Sequence, residues 1–164
     1  MLLEDSLRGV DLVRSFPGSL VDVGSGGGAP GIPLAVSFPD RDVTLLEANG
    51  RKCDFLRRWA PPNAAVLQGR AEEQEVDAHG VAVAKALAPP PIAAEWCLPL
   101  VRPEGAVILW VGPNADTKRV ARVATRLGGE LAETMDGLLV LHKIKPTPEG
   151  FPRRIGVARK RPLA

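Results

Sequence analysis

The sequence predicts an α/β protein: a mostly parallel sheet covered on both faces by helices. Three observations carry that expectation. Seven short apolar runs of strand length alternate with helix-like stretches. A glycine-rich loop, Gly24-Ser25-Gly26-Gly27-Gly28-Ala29-Pro30-Gly31, follows the first of those runs, where a doubly wound sheet places its ligand loop. The last two runs meet through Asp136-Gly137, a hairpin signal that adds an antiparallel edge.

The elements follow in order. Leu3 to Arg14 reads as one helix, with Leu3, Leu7, Val10 and Val13 at helical spacing, broken by Pro17-Gly18. Ser19 to Val23 is a buried strand, and Ile32 to Phe38 a helix with Pro33 in its first turn. Asp42 to Glu47 is a strand; Arg51 to Trp59 is a helix with Phe55, Leu56 and Trp59 on one side, stopped by Pro61-Pro62. Ala64 to Gln68 and Val81 to Ala86 are strands, and Pro91 to Leu100 is a helix. Gly105 to Val111 is the strongest strand in the chain. Asp116 to Leu127 is a basic amphipathic helix closed by Gly128-Gly129. Glu130 to Met135 and Leu138 to Lys145 are the two last strands. From Pro146 the chain is Pro-rich and basic, and reads as loop or extended chain. The expected organisation is a domain over 1–145, opening with a leading helix over 1–16, and a basic tail over 146–164.

With 164 residues, 45% of them hydrophobic and 24% charged, the chain has the composition of one globular domain. The net charge of +2 hides an asymmetry. Residues 141–164 hold seven bases against one acid, a net of +6, while residues 1–140 hold 14 bases against 18 acids, a net of −4. An acidic body with a basic tail points to a polyanionic partner. No apolar run approaches the roughly 20 residues of a membrane span. Met1-Leu2-Leu3-Glu4-Asp5 carries acids where a secretory signal would carry bases. Cys53 and Cys97, 44 positions apart, make neither a disulfide framework nor a zinc site, and His79 and His142 are too scattered for a metal cluster. The expectation is a reduced, cytoplasmic protein with no membrane segment and no metal. There is no Tyr and only 4% aromatic residues, so base stacking on an aromatic sheet is not expected. Trp59, Trp96 and Trp110 read as core, Cys53 and Cys97 as packing residues, and His142 as structural. Lys118, Arg119, Arg122 and Arg126 form one basic helix face that reads as solvated.

Three features carry chemistry. The glycine loop lets backbone approach a ligand at the carboxyl end of the sheet. Gly24-x-Gly26-x-x-Ala29 also satisfies a dinucleotide fingerprint. Asp22 discriminates, because an acid two residues before the first glycine would repel a pyrophosphate and attract a cation. S-adenosylmethionine carries an ammonium and a sulfonium, and is the expected ligand. Glu47, at the end of the second strand, is placed to hydrogen-bond ribose hydroxyls of any adenosine cofactor; the plain alternative is a strand-end acid facing water. Arg70-Ala71-Glu72-Glu73 follows the third strand beside the crevice. It could flank an adenine, or its acids could simply favour a helix N-terminus.

A parallel sheet with an antiparallel strand near the C-terminus resembles the class I (Rossmann-like) S-adenosylmethionine-dependent methyltransferases, whose sheet has seven strands. The run from Val21 to Leu34, Val-Asp-Val-Gly-Ser-Gly-Gly-Gly-Ala-Pro-Gly-Ile-Pro-Leu, closely resembles the glycine motif of the RsmG (GidB) family of small-subunit ribosomal RNA guanine-N7 methyltransferases. Further matches run the length of the chain: Asp5-Ser6-Leu7, Leu45-Leu46-Glu47, Arg51-Lys52-Cys53-Asp54-Phe55-Leu56, Gly69-Arg70-Ala71-Glu72-Glu73, Ala84-Lys85-Ala86-Leu87-Ala88-Pro89, and Phe151-Pro152-Arg153-Arg154 with Lys160-Arg161-Pro162-Leu163. The chain also departs from the family. Lys85 stands for an Arg, Val111 for the Lys of a Lys-Gly pair, Ala29 for a bulky apolar residue and Leu2 for a His. The family's helical cap ahead of Asp5-Ser6-Leu7 is expected to be missing.

The resemblance implies S-adenosylmethionine as cofactor, small-subunit (16S) ribosomal RNA as partner, and a monomer. It implies that Asp22 with Gly24, Ser25, Gly26, Gly28 and Ala29 holds the methionine part. Glu47 and Ala48 would hold the ribose, and Ala71 and Glu72 would frame the adenine. Lys85 would orient cofactor or RNA phosphate, and Arg153, Arg154, Arg159, Lys160 and Arg161 would contact RNA. Guanine N7 is a bare lone pair, so the transfer requires no general base; none of these residues is assigned as a catalytic acid or base. Two other classes stay open: a non-catalytic descendant that binds cofactor or RNA, and a nucleotide-dependent oxidoreductase on the same fold.

Overall fold

The computed structural model describes residues 2–164, the side chain of Leu2 excepted. Seven strands form one sheet: β1 (Leu20–Val23), β2 (Val43–Glu47), β3 (Ala64–Gln68), β4 (His79–Lys85), β5 (Val101–Trp110), β6 (Gly129–Met135) and β7 (Leu138–Lys143). Their spatial order is β3-β2-β1-β4-β5-β7-β6. The first five pair in parallel, and β7 runs antiparallel to both β5 and β6. The Asp136-Gly137 turn joins β6 and β7 into the expected antiparallel pair at one side of the sheet, and the reversed strand is β7. It slots one place inward and leaves β6 outside. Burial explains the order: Leu138 to Leu141 are buried, whereas Glu130 and the outer half of β6 face water. The wetter strand takes the edge.

The helices are α1 (Leu2–Leu7), α2 (Val10–Arg14), α3 (Gly31–Ser37), α4 (Gly50–Trp59), α5 (Pro90–Cys97), α6 (Thr117–Arg126) and α7 (Val157–Lys160). Alternate strand residues reach opposite faces of the sheet. Leu20, Val81, Val83, Ile108 and Trp110 join Val13, Leu34, Ala35 and Leu56 on one face, under α2, α3 and α4. Val21, Val23, Ala82, Ala84, Val107 and Leu109 join Ala94, Cys97, Val120, Val123 and Ala124 on the other, under α5 and α6. Asn49 caps α4 by accepting from the Lys52 amide at 3.1 Å, and Asp116 caps α6 by accepting from the Arg119 amide at 3.1 Å.

Several boundaries differ from the sequence reading, each for a local reason. The leading helix is two helices, broken at Gly9, where the Trp110 ring lies so close that a Cβ would sit 2.6 Å from its Cη2 atom. The Trp110 indole N–H donates to the Asp5 carbonyl at 2.8 Å. The expected helix over 91–100 gives way to a 3-10 turn, Leu98–Leu100, around Pro99, which has no N–H to continue the α pattern. Strand β5 starts at Val101 rather than Gly105 and runs through Glu104 at φ +74°. Trp59, expected in the core, is 64% exposed. Cys53 and Leu56 take the buried side of α4, and the stripe Phe55–Trp59 is turned away from it. Trp110 is buried and Trp96 half-buried; Cys53 and Cys97 are buried free thiols, as read.

The segment after Pro146 is not free chain. Arg153 forms a two-pronged ion pair with Glu95 of α5, at 2.6 and 2.7 Å. Phe151 and Leu163 pack on the core, and Ala158 of α7 is buried. Arg119 donates to the Ala164 carbonyl and Arg126 to the Leu163 carbonyl at 3.2 Å, so part of the basic face of α6 seats the tail instead of facing water. Lys143 is fully buried and meets Asp77 at 2.9 Å, Thr147 at 2.8 Å and the Leu98 and Val101 carbonyls at 2.8 and 2.7 Å. Burial pushes its pKa below the usual lysine value, and the Asp77 carboxylate opposes that. Among the described residues no helix is long and apolar enough to cross a membrane.

Candidate cofactor site

An open cavity of about 510 Å³ lies at the carboxyl ends of β1, β2 and β4. Its volume is in the usual range for small-molecule sites. The glycine loop forms its floor with Gly24, Ser25, Gly26, Gly27 and Ala29. Strand β2 supplies Leu46 and Glu47, the residue after it Ala48, and α4 Lys52. The turn after β3 supplies Gly69 to Glu72, the end of β4 Lys85 to Leu87, and α5 Trp96. Gly26 adopts φ +52°, a left-handed conformation that frees its N–H to point at Glu47. A Cβ on Gly27 would have no atom within 4 Å, so the loop presents bare backbone to open space.

Glu47 organises that loop. One carboxylate oxygen accepts from the Gly26 amide at 3.0 Å, and the other from the Asn49 amide at 2.8 Å. Each oxygen keeps acceptor capacity on the cavity side. The sequence argument singled out this residue by its distance from the glycines, and the fold brings the two together.

Asp22 behaves differently from its sequence reading. It shares a strand face with Leu20, beneath α3, so its carboxylate points away from the cavity wall. One oxygen accepts from the Gly31 amide at 3.0 Å; the other, Oδ1, is buried with no partner among the described residues. Burial pushes the carboxyl up to about 7, the Ser25 hydroxyl and Gly31 amide oppose that, and the Glu47 charge adds a smaller push upward. Asp22 ties β1 to the start of α3 and shapes the loop from behind. Gly28 is likewise behind the wall, close to Ile32, and Gly27 takes its expected place in the lining.

Gly24, Ser25, Gly26, Ala29, Glu47, Ala48, Ala71, Glu72 and Lys85 are brought together around the cavity. Lys85 is ion-paired with Asp5 of α1. That contact holds the Asp5 carboxyl below the usual range, with desolvation opposing it and Arg8 assisting at 3.0 Å. Asp5 thus reaches the site from 80 positions away. Sequence reasoning names Gly27 and Arg70 only within their loops, and misses Lys52, Leu87 and Trp96 as lining residues. Trp96, a core residue by composition, lines the cavity half-buried. Its indole N–H is buried without a partner among the described residues, and the Arg159 guanidinium lies 5.2 Å from its ring centre. Of the five basic tail residues, Arg153 is engaged by Glu95, while Arg154, Arg159, Lys160 and Arg161 are exposed. Among the described residues no group of three or more His, Cys, Asp or Glu could hold a metal.

Comparison with known proteins agrees with this geometry. The family described as GidB, rRNA small subunit methyltransferase G, matches residues 1–126. Proteins named ribosomal RNA small subunit methyltransferase G are similar over most of the chain. The one from Synechococcus sp. (strain JA-3-3Ab) is 34% identical over 98% of this chain and 72% of its own length. That from Roseiflexus sp. (strain RS-1) is 37% identical over 97% and 76%. Among solved structures, M. jannaschii TYW2 in complex with AdoMet superposes with a TM-score of 0.66 at 15% identity, covering 85% of this chain and 72% of that one. The T. thermophilus 16S rRNA methyltransferase RsmC, in complex with AdoMet and guanosine, gives 0.62 at 19% identity, covering 86% and 40%. Those structures share the fold, and the sequence match does the rest: the chain belongs to the GidB family, rRNA small subunit methyltransferase G.

Proposed function

We propose that this chain transfers a methyl group from S-adenosylmethionine to N7 of a guanine in 16S ribosomal RNA, in the cytoplasm. The observation that carries the reading is the cavity between the glycine loop and Glu47, in a chain of this family. The residues present fit the cofactor. The open backbone at Gly27 leaves room for its methionine part, and Glu47 keeps acceptor sites for ribose hydroxyls. Ala71 is buried and Glu72 half-buried beside the same cavity, framing a place for the adenine. S-adenosylmethionine supplies an electrophilic methyl on a sulfonium.

The protein's own work is positional. Guanine N7 presents an unprotonated lone pair, so no side chain has to remove a proton. Holding nucleophile and methyl in line accounts for about 7–11 kcal/mol of barrier lowering in well-oriented systems. Lys85, steadied by Asp5, stands at the cavity wall where it can orient cofactor or an RNA phosphate. Arg154, Arg159, Lys160 and Arg161 supply exposed positive charge for the RNA backbone.

Calorimetric titration with S-adenosylmethionine, with NAD as control ligand, tests the cofactor. Saturable binding of the former alone is expected, followed by methyl transfer to small ribosomal subunits or free 16S rRNA. A folded sample that binds neither ligand overturns the reading, and binding of NAD alone makes the chain a nucleotide-dependent protein of another class.

A further inference from the structure

Helix α4 carries a surface that, Lys52 apart, the cavity does not use. Cys53 and Leu56 are its buried residues. On another side, Phe55 is 46% and Trp59 64% exposed. At 3.6 residues per turn, Arg58, Arg51, Phe55, Trp59 and Lys52 fall within an arc of about 120°. The two aromatic rings, four residues apart, form one stripe about 6 Å long. Arg51 and Arg58 flank it on one side and Lys52 on the other. The helix's single acid, Asp54, is occupied by Arg57 at 3.1 Å. Among the described residues, Arg51, Lys52 and Arg58 are exposed with no ion-pair partner. The stripe also starts at the mouth of the cavity: α4 follows directly on Glu47 and Ala48, and Lys52 lines the wall.

An exposed indole and phenyl ring on a surface helix mark a contact face, and unpaired bases on both flanks select its partner. Trp, Phe and Arg also populate protein interfaces, so the choice rests on charge: three bases and no acid on this face lack an ion-pair partner among the described residues. A polyanion with flat faces suits both features. We infer that this face of α4 receives an unpaired segment of ribosomal RNA beside the target base. Trp59 and Phe55 stack on bases, and Arg51, Lys52 and Arg58 meet phosphates. The inference rests on the proposed action on ribosomal RNA and adds a contact surface separate from the C-terminal tail. Stacking of this kind tolerates any base, so the face contributes affinity and orientation rather than sequence choice.

The test uses the full chain and 16S rRNA stripped of ribosomal proteins. RNA affinity and tryptophan emission are measured for the wild type, Trp59→Ala, Phe55→Ala with Trp59→Ala, and Trp59→Phe. Calorimetry with S-adenosylmethionine runs alongside. RNA should quench Trp59 emission in the wild type. Trp59→Ala should weaken RNA binding about 5- to 100-fold, the range of one lost stacking contact. Trp59→Phe should restore most of the affinity, and cofactor affinity should stay unchanged in all variants. A double variant that binds RNA like the wild type overturns the inference. So does a loss seen only on assembled subunits and not on naked rRNA, which would assign the face to a ribosomal protein. A wild type that binds cofactor but neither binds nor methylates rRNA or small ribosomal subunits overturns the functional reading and this inference together. RNA binding that depends on Trp59, with no methyl transfer to rRNA or to small subunits, overturns the functional reading alone.

Discussion

Glu47 and Asp22 are two buried carboxylates two strands' turns apart in role. Glu47 spends both oxygens on backbone amides and still faces the cavity. Glu47→Ala should weaken S-adenosylmethionine binding about 10- to 100-fold, the value of hydrogen bonds to a charged group; calorimetry reads it, and unchanged affinity removes the assignment. Asp22 has one oxygen without a partner among the described residues, and its carboxyl titrates near 7 in the fold against 3.8 when unfolded. The folded state therefore holds the proton more tightly. Its contribution to stability is fully present below about pH 4 and is lost as pH rises through about 7. Thermal melts between pH 5 and pH 8 should show that fall, and Asp22→Asn should flatten it. Glu47 was legible in the sequence because its role follows from its spacing to the glycines. The direction of Asp22 was not, because it depends on which sheet face α3 covers, and that is settled by packing.

At the level of elements, α5 joins the tail to the body. The Glu95 carboxylate is 4% exposed and is neutralised by Arg153. Arg153→Ala should destabilise the protein by about 3–5 kcal/mol, since it strands a buried charge; chemical denaturation measures it, and a loss under 1 kcal/mol would show that the pair is dispensable. The alternation of strand and helix was readable throughout, since it rests on periodicity within each segment. The order β5-β7-β6 was not, since the same Asp136-Gly137 hairpin is compatible with either strand at the edge. The exposure of Trp59 was readable in principle from the wheel of α4, where Cys53 and Leu56 already fill the buried stripe.

For the whole molecule, the charge asymmetry seen in composition becomes a spatial one. The basic tail does not trail in solvent; α7 and its flanks lie against α5 and α6, and four of its five candidate arginines and lysines stay exposed. Deleting everything after Pro146 would also remove the Thr147 and Arg153 contacts, so charge reversal is the cleaner probe. Substituting Arg154, Lys160 and Arg161 by Glu should weaken RNA binding across sequences. Each lost phosphate contact should lower the slope of log affinity against log salt by about one. An unaltered slope would remove the tail from the RNA interface.

Glu95 and Trp96 are consecutive residues, and this adjacency couples two distant-looking properties. One seats the tail, and the other lines the cavity with Arg159 against its ring. A ligand that settles Trp96 should slow hydrogen exchange at the Lys160 and Arg161 amides, which bond to the Gly156 and Val157 carbonyls. By linkage, loosening the tail with Arg153→Lys should raise the cofactor's Kd, and an unchanged Kd would show that tail and cavity are uncoupled. The pocket would then report to the basic tail whether it is loaded.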